Sequence, residues 1–89
     1  MKFKWHDWNI AKCGQHGVDP AEAEYVVRNA RAPYPRHIDH GKWLVWGRDF
    51  AGRCLQVIFV LDEPDECVFI IHARPLEERE KRSFRRRMR

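Results

Sequence analysis

The sequence has no apolar run approaching the length of a membrane span and no apolar h-region behind Met1-Lys2-Phe3-Lys4. Neither a spanning helix nor a secretory leader is therefore expected. Cysteine is scarce: Cys13, Cys54 and Cys67 lie singly with no C-x-x-C, which argues against a disulfide framework and against a zinc ribbon. Cys54 and Cys67 read as small core hydrophobes. His37-x-x-His40 and Cys13-x-x-His16 fall outside the recurring zinc-ligand frameworks and are expected on the surface of different elements, so no metal and no cofactor is assigned. A glycine-rich phosphate loop and a G-x-S-x-G elbow are both missing, which removes the main support for nucleotide hydrolysis and acyl transfer. A reduced, cytoplasmic, soluble chain with no membrane partner is the expectation.

Its 89 residues make one domain, 1–89, with room for one modest core. The hydrophobic share of 44% is ordinary for a globular chain, and eleven aromatics, four of them Trp, give that core bulky anchors. Charge is unevenly placed. From Arg74 to Arg89 there are eight Lys/Arg against three Glu, a net of +5, which leaves the rest of the chain at about −1. A one-ended basic balance fits a polyanionic partner, either nucleic acid or an acidic protein tail, and equally fits a solvated helix face.

Read in order, Met1 to Trp5 alternates as a short edge strand, and Asp7 is placed to cap a helix running to about His16 and ended by Gly17. On it Trp8, Lys12 and His16 are spaced four apart along one side. Asp19, Pro20 and Glu22 are a capping-box-like start for a second helix, whose Ala23, Val26, Val27 and Ala30 form an apolar face. Pro33 and Pro35 break it, and an extended connector or edge strand follows to about Ile38. Lys42 to Arg48 reads as a strand, and Asp49 to Gly52 as a turn. Arg53 to Leu61 is apolar on both sides and is expected to be central in its sheet. Asp62 to Glu66 is an acidic turn returning the chain as a final strand from Cys67. Connections this short imply antiparallel neighbours. The expected architecture is α+β: a short N-terminal strand and two helices, a three- to four-stranded antiparallel sheet, and a C-terminal basic helix.

Along the final strand, alternation puts Val68, Ile70, His72 and Arg74 on one face. Pro75 suits the first position of the helix that follows. In that helix Leu76, Glu80, Phe84 and Met88 recur every four residues, so a carboxylate sits in the only apolar stripe. Glu80 then needs a cationic partner or a task, and Arg74 is the nearest candidate. A structural pair tying helix to sheet and a small anionic-substrate site both satisfy this pattern.

Lys12, His16, Arg48, Arg53, His72, Arg74 and Glu80 supply cations and acid–base groups without metal ligands. Metal-free RNA cleavage needs only such groups: the ribose 2′-OH is the nucleophile, and the protein must deprotonate it, neutralise the phosphate and protonate the leaving oxygen. Each has a plainer role as well: Arg48 and Arg53 flank a turn, and His16 can meet free carbonyls at a helix end.

Phe3-Lys-Trp-His-Asp-Trp-Asn-Ile-Ala-Lys-Cys-Gly-Gln-His-Gly-Val18 resembles the opening of BrnT-family toxins. Gly47 with Gly52-Arg-Cys-Leu55 is similar to the family's middle motif, and Ile70-Ile-His-Ala-Arg74 with Glu80-Lys-Arg82 to its closing one. This resemblance spans nearly the whole chain. It implies a RelE-like fold and the toxin half of a type II toxin–antitoxin pair, a small ribonuclease that stops translation by degrading RNA. It also implies a neutralising antitoxin, typically with a ribbon-helix-helix domain, through which alone the complex would reach DNA. Lys12 and His16 match its first motif, Arg53 the second, Arg74 and Glu80 the third. Lys12 and Arg74 suit phosphate neutralisation; Glu80 or His16, and His72, suit proton transfer. Arg48, Arg53, Arg79, Lys81, Arg82 and Arg85 are the candidate RNA contacts. The chain departs from the family pattern at Phe69, where Arg is frequent, at His72, in place of Ser or Thr, and at Phe84, where Tyr is usual. Those departures also fit an alternative function, a catalytically degenerate binding module for an antitoxin-like protein or RNA.

Overall fold

Lys2–Lys4 (β1) is an edge strand, as the alternation predicts, but it lies parallel to the last strand of the chain, with Phe3 opposite Val68. The structure, a computed structural model, describes residues 1–62, 64 and 66–88. Glu63 and Asp65 of the expected acidic turn, and Arg89 of the basic terminus, lie outside the described residues.

Asp7–Gly14 (α1) starts one residue earlier in its capping than expected. The His6 backbone N–H donates to Asn9 Oδ1 at 2.6 Å, so Asp7 is the first helical residue and not the cap. The helix ends at Gly14, which leaves His16 in the turn before Gly17 (φ +71) instead of on a ridge with Trp8 and Lys12. Asn9 is fully buried and donates to the Lys4 and Ile70 carbonyls, which docks α1 along the chain's last strand. Cys13 sits in the core, where burial pushes its thiol up to about 11, so it is inert packing and not a surface partner for His16.

Pro20–Arg28 (α2) begins as read: Asp19 precedes it, Pro20 opens it, and Glu22 Oε1 accepts the Asp19 backbone N–H at 2.8 Å. Ala23, Val26 and Val27 are buried. Arg36–His37 (β2), Lys42–Arg48 (β3), Cys54–Asp62 (β4) and Cys67–Pro75 (β5) then form an antiparallel run, and β1 completes a five-stranded sheet in the order β1-β5-β4-β3-β2. β4 is central, as its unbroken apolar character requires. The sheet is nonetheless mixed and not purely antiparallel. Short connections govern β2 to β5, but β1 meets β5 across more than sixty residues of chain, where the length of a loop dictates nothing.

Two differences at β5 shape the site. The pairing with β4 shifts register, with Phe59 opposite Ile70 but Ile58 opposite His72, so Ile71 is an extra residue bulged between them. Cross-strand partners share a face. Val68 and Ile70 therefore lie with Leu61 and Phe59, whereas His72 and Arg74 lie with Ile58 and Gln56 on the opposite face, a correction to the simple alternation. Pro75 does not open the last helix either. It pairs with Leu55, the Leu76 N–H still reaches the Cys54 carbonyl at 2.9 Å, and Glu78–Arg87 (α3) begins only after Glu77. The stripe survives in altered form, with Leu76 and Phe84 buried and Met88 packed against the core.

α2 covers one sheet face, where Val26 meets Gly47; α3 covers part of the other, where Phe84 packs near Trp46. Among the described residues no helix is long and apolar enough to cross a membrane.

Candidate functional site

Arg74, near the end of β5, projects on the face the bulge opens, and its guanidinium meets Glu80 in a two-pronged pair, Nη1 to Oε1 and Nη2 to Oε2, both 2.8 Å. Nη1 also donates to the Pro75 carbonyl, and Nη2 reaches Gln56 Oε1 at 3.4 Å. Glu80 is the third residue of α3, and its Oε1 also accepts the Glu77 backbone N–H at 2.7 Å, so one carboxylate both caps the helix and orients the arginine. The Arg74 bonds, aided by the Glu77 N–H, hold the Glu80 carboxyl at about 2, well below its usual range, and the same contact pushes the Arg74 guanidinium up. At neutral pH the pair is fully ionised.

Two residues earlier along β5, His72 stands with its ring centroid 5.7 Å from that of His16, edge to face. Burial first, then the charges of Arg74, His16 and Lys12, lower the His72 pKa below its ordinary 6.5. Its Nε2 is buried and has no hydrogen-bond partner among the described residues. His72 is therefore a neutral imidazole beside a cationic group, with a ring nitrogen uncommitted. Lys12 from α1, His16 from the turn after it, His72 and Arg74 from β5, and Glu80 from α3 form one cluster drawn from three separated stretches of chain.

Comparison with protein-family models, with curated proteins and with solved structures returned no match.

The cluster has more positive than negative charge, because Glu80 already spends its carboxylate on Arg74. What it can do chemically is hold an anion beside a proton-accepting imidazole. Among the described residues no three His, Cys, Asp or Glu side chains are grouped as metal ligands would be.

The candidate RNA contacts divide. Arg53 does not join the cluster: its guanidinium bonds the Gly17 carbonyl, Glu22 and Asp49, and so fastens the β3–β4 turn to the start of α2. Asp49 is buried there. Burial alone would raise its pKa, but the backbone N–H groups of Arg53 and Ala51 lead the interactions that bring it below the usual value. Lys81 pairs with Glu78 at 3.3 Å. Arg79 and Arg82 are exposed on α3, while Arg48 and Arg85 line a separate cavity against Trp46 and Phe84.

Gln56 was not anticipated. It is only 9% exposed, and its Oε1 accepts the Trp46 indole N–H at 3.0 Å as well as the longer contact from Arg74. A lone amide inside the otherwise apolar β4 was the available signal. Tyr34 also escaped notice: its ring lies 6.4 Å from Phe84 and its buried hydroxyl has no partner among the described residues. Neighbouring prolines disguise it as mere connector.

Proposed function

We propose that this protein is a metal-independent endoribonuclease of the BrnT type, with a RelE-like fold, acting as the toxin of a type II pair. The observation that carries the reading is the convergence of Lys12, His16, His72, Arg74 and Glu80, named from sequence, into one cation-rich cluster around a neutral imidazole. In this reading His72 takes the proton of a ribose 2′-OH, whose oxygen attacks the adjacent phosphorus. Lys12 and Arg74 neutralise the phosphate. His16 gives a proton to the departing 5′-oxygen, leaving a 2′,3′-cyclic phosphate and a free 5′-hydroxyl. Glu80, tied by three hydrogen bonds, serves to position Arg74 and carries no proton. Neutralisation by a ribbon-helix-helix antitoxin is the partner side of the same proposal, supported by the sequence resemblance.

A second reading has its own support. Phe84 is buried between Tyr34 and Trp46 as core, and Phe69 stacks on the His6 ring at 5.7 Å, so neither of these departures supplies a catalytic group. A chain so altered fits a toxin-fold binding module.

Induced expression in a bacterium separates the two. Wild type is compared with Arg74→Ala, Glu80→Ala and His72→Gln, reading growth, RNA integrity and the fold of each purified protein. The ribonuclease reading expects arrest and RNA loss with wild type only, and no cleavage in vitro of RNA carrying one deoxyribose at the scissile position. A folded wild type that neither arrests growth nor cuts RNA would remove it in favour of the binding module.

A further inference from the structure

A cavity of about 480 Å³ lies away from the His72 cluster, where the C-terminal end of α2, the β3–β4 turn and the last turns of α3 meet. Its walls include Tyr25, Arg31, Trp46, Arg48, Phe50 and Arg85. Phe50 stands at the tip of the turn, 62% exposed, with Tyr25 against it edge-on at 5.8 Å. An aromatic ring this open at a turn tip gains little from the core, and Tyr25 is its perpendicular neighbour. Arg31, Arg48 and Arg85 are all exposed and none is in an ion pair among the described residues. The one carboxylate in the lining, Asp49, is buried and engaged by Arg53.

We propose that this cavity is a nucleotide subsite for single-stranded RNA: a base stacks on Phe50, and Arg48 with Arg31 or Arg85 grips the adjoining phosphate. Open aromatic faces beside guanidinium forks are what single-stranded nucleic acid uses, since every base has a π-face and every phosphate accepts a bidentate arginine. An acidic peptide would use the arginines but leave Phe50 without a task. The subsite also has a physical link to the cluster. Trp46 lines the cavity and donates to Gln56, which Arg74 also contacts, so three adjacent strands carry a row of side chains from one site to the other. At about 4.8 Å between strands that row spans roughly 10 Å, within reach of a short oligonucleotide. The inference rests on the ribonuclease reading for its ligand and adds where a base outside the scissile step is held.

The test is fluorescence anisotropy with a labelled, single-stranded 2′-O-methyl hexaribonucleotide, which has no free 2′-OH and stays intact. Wild type is compared with Phe50→Ala, Phe50→Trp and Arg48→Gln, each checked for fold by circular dichroism, while cleavage of the unmethylated RNA is followed in parallel. The expected result is at least fivefold weaker binding for Phe50→Ala and for Arg48→Gln, with Phe50→Trp restoring affinity as a stacking surface should. Binding by wild type that these folded variants leave unchanged overturns the subsite, and if wild type still cuts RNA the ribonuclease reading survives it. Pocket-dependent binding without any cleavage upholds the subsite and removes the ribonuclease reading. A wild type that binds no RNA, or binds a polyglutamate peptide through Arg48 and Arg85 in preference, overturns the subsite outright.

Discussion

Glu80 accepts hydrogen bonds from two directions, the Arg74 guanidinium and the Glu77 backbone, and the charge that strengthens both is lost if it is protonated. Its pKa is depressed from 4.5 to about 2, so the stability it contributes is fully present above about 4.5 and is lost as pH falls through about 2. Glu80 and Arg74 are each about a quarter exposed, so solvent screening keeps the pair modest, about 1 kcal/mol. Urea unfolding should find Glu80→Gln about 1 kcal/mol less stable at pH 7, with the gap narrowing from about pH 4.5 down through pH 2; a gap constant with pH would refute the ion pair as its source. His72 has the opposite chemistry with the same sign of dependence. Its pKa lies below 6.5, so the folded state resists a proton that the unfolded chain accepts, and stability is lost as pH falls from about 6.5 toward the folded value. NMR titration of the imidazole should place it below 6.5 in wild type and move it upward in Lys12→Met and in His16→Gln. No movement in either variant would mean that burial and the Arg74 charge set it without them.

At the scale of elements, the close approach of α2 to β3 depends on Gly47, where an added Cβ would stand 3.2 Å from Val26 Cγ1. Val26 is 1% exposed and cannot step aside, so Gly47→Ala should cost about 1 kcal/mol through overpacking. Combining it with Val26→Ala should cost less than the two single changes together, because the clash goes with the methyl groups. Strict additivity in urea unfolding would contradict that contact. The same elements show what was legible in sequence. α2 was, because Asp19, Pro20 and Glu22 specify its start locally and Ala23, Val26 and Val27 repeat at helical period. β3 was, because Lys42 to Arg48 is bounded by turn residues at both ends. The Ile71 bulge was not: it exists only in the pairing of β5 with β4, and an isolated strand reads as perfect alternation. The α3 start was missed because the sheet, through the Leu76 N–H and the Cys54 carbonyl, outcompetes the helix for the residues after Pro75. The Arg74–Glu80 pair is legible in sequence all the same, since neither the bulge nor the later helix start parts the two side chains.

The molecule as a whole has electrical ends. The β4–β5 hairpin turns at Asp62 and Glu66, while Arg74 and the whole of α3 stand at the opposite end of the same two strands. Nine residues of strand separate them by about 30 Å, more than three Debye lengths at physiological salt. The acidic turn therefore cannot oppose an anion docked at the basic end. If RNA binds there, each phosphate contact made by α3 releases condensed counterions, and log affinity should fall with log salt by about 0.7 per contact on a single strand. Arg79 and Arg82 are exposed and unpaired among the described residues, so Arg79→Gln and Arg82→Gln should each lower the slope by up to about 0.7 without disturbing the fold. Glu66→Gln, at the far end, should leave it unchanged. A slope that the α3 variants do not alter would mean that RNA docks elsewhere on the molecule, because counterion release counts only the cations that touch phosphate.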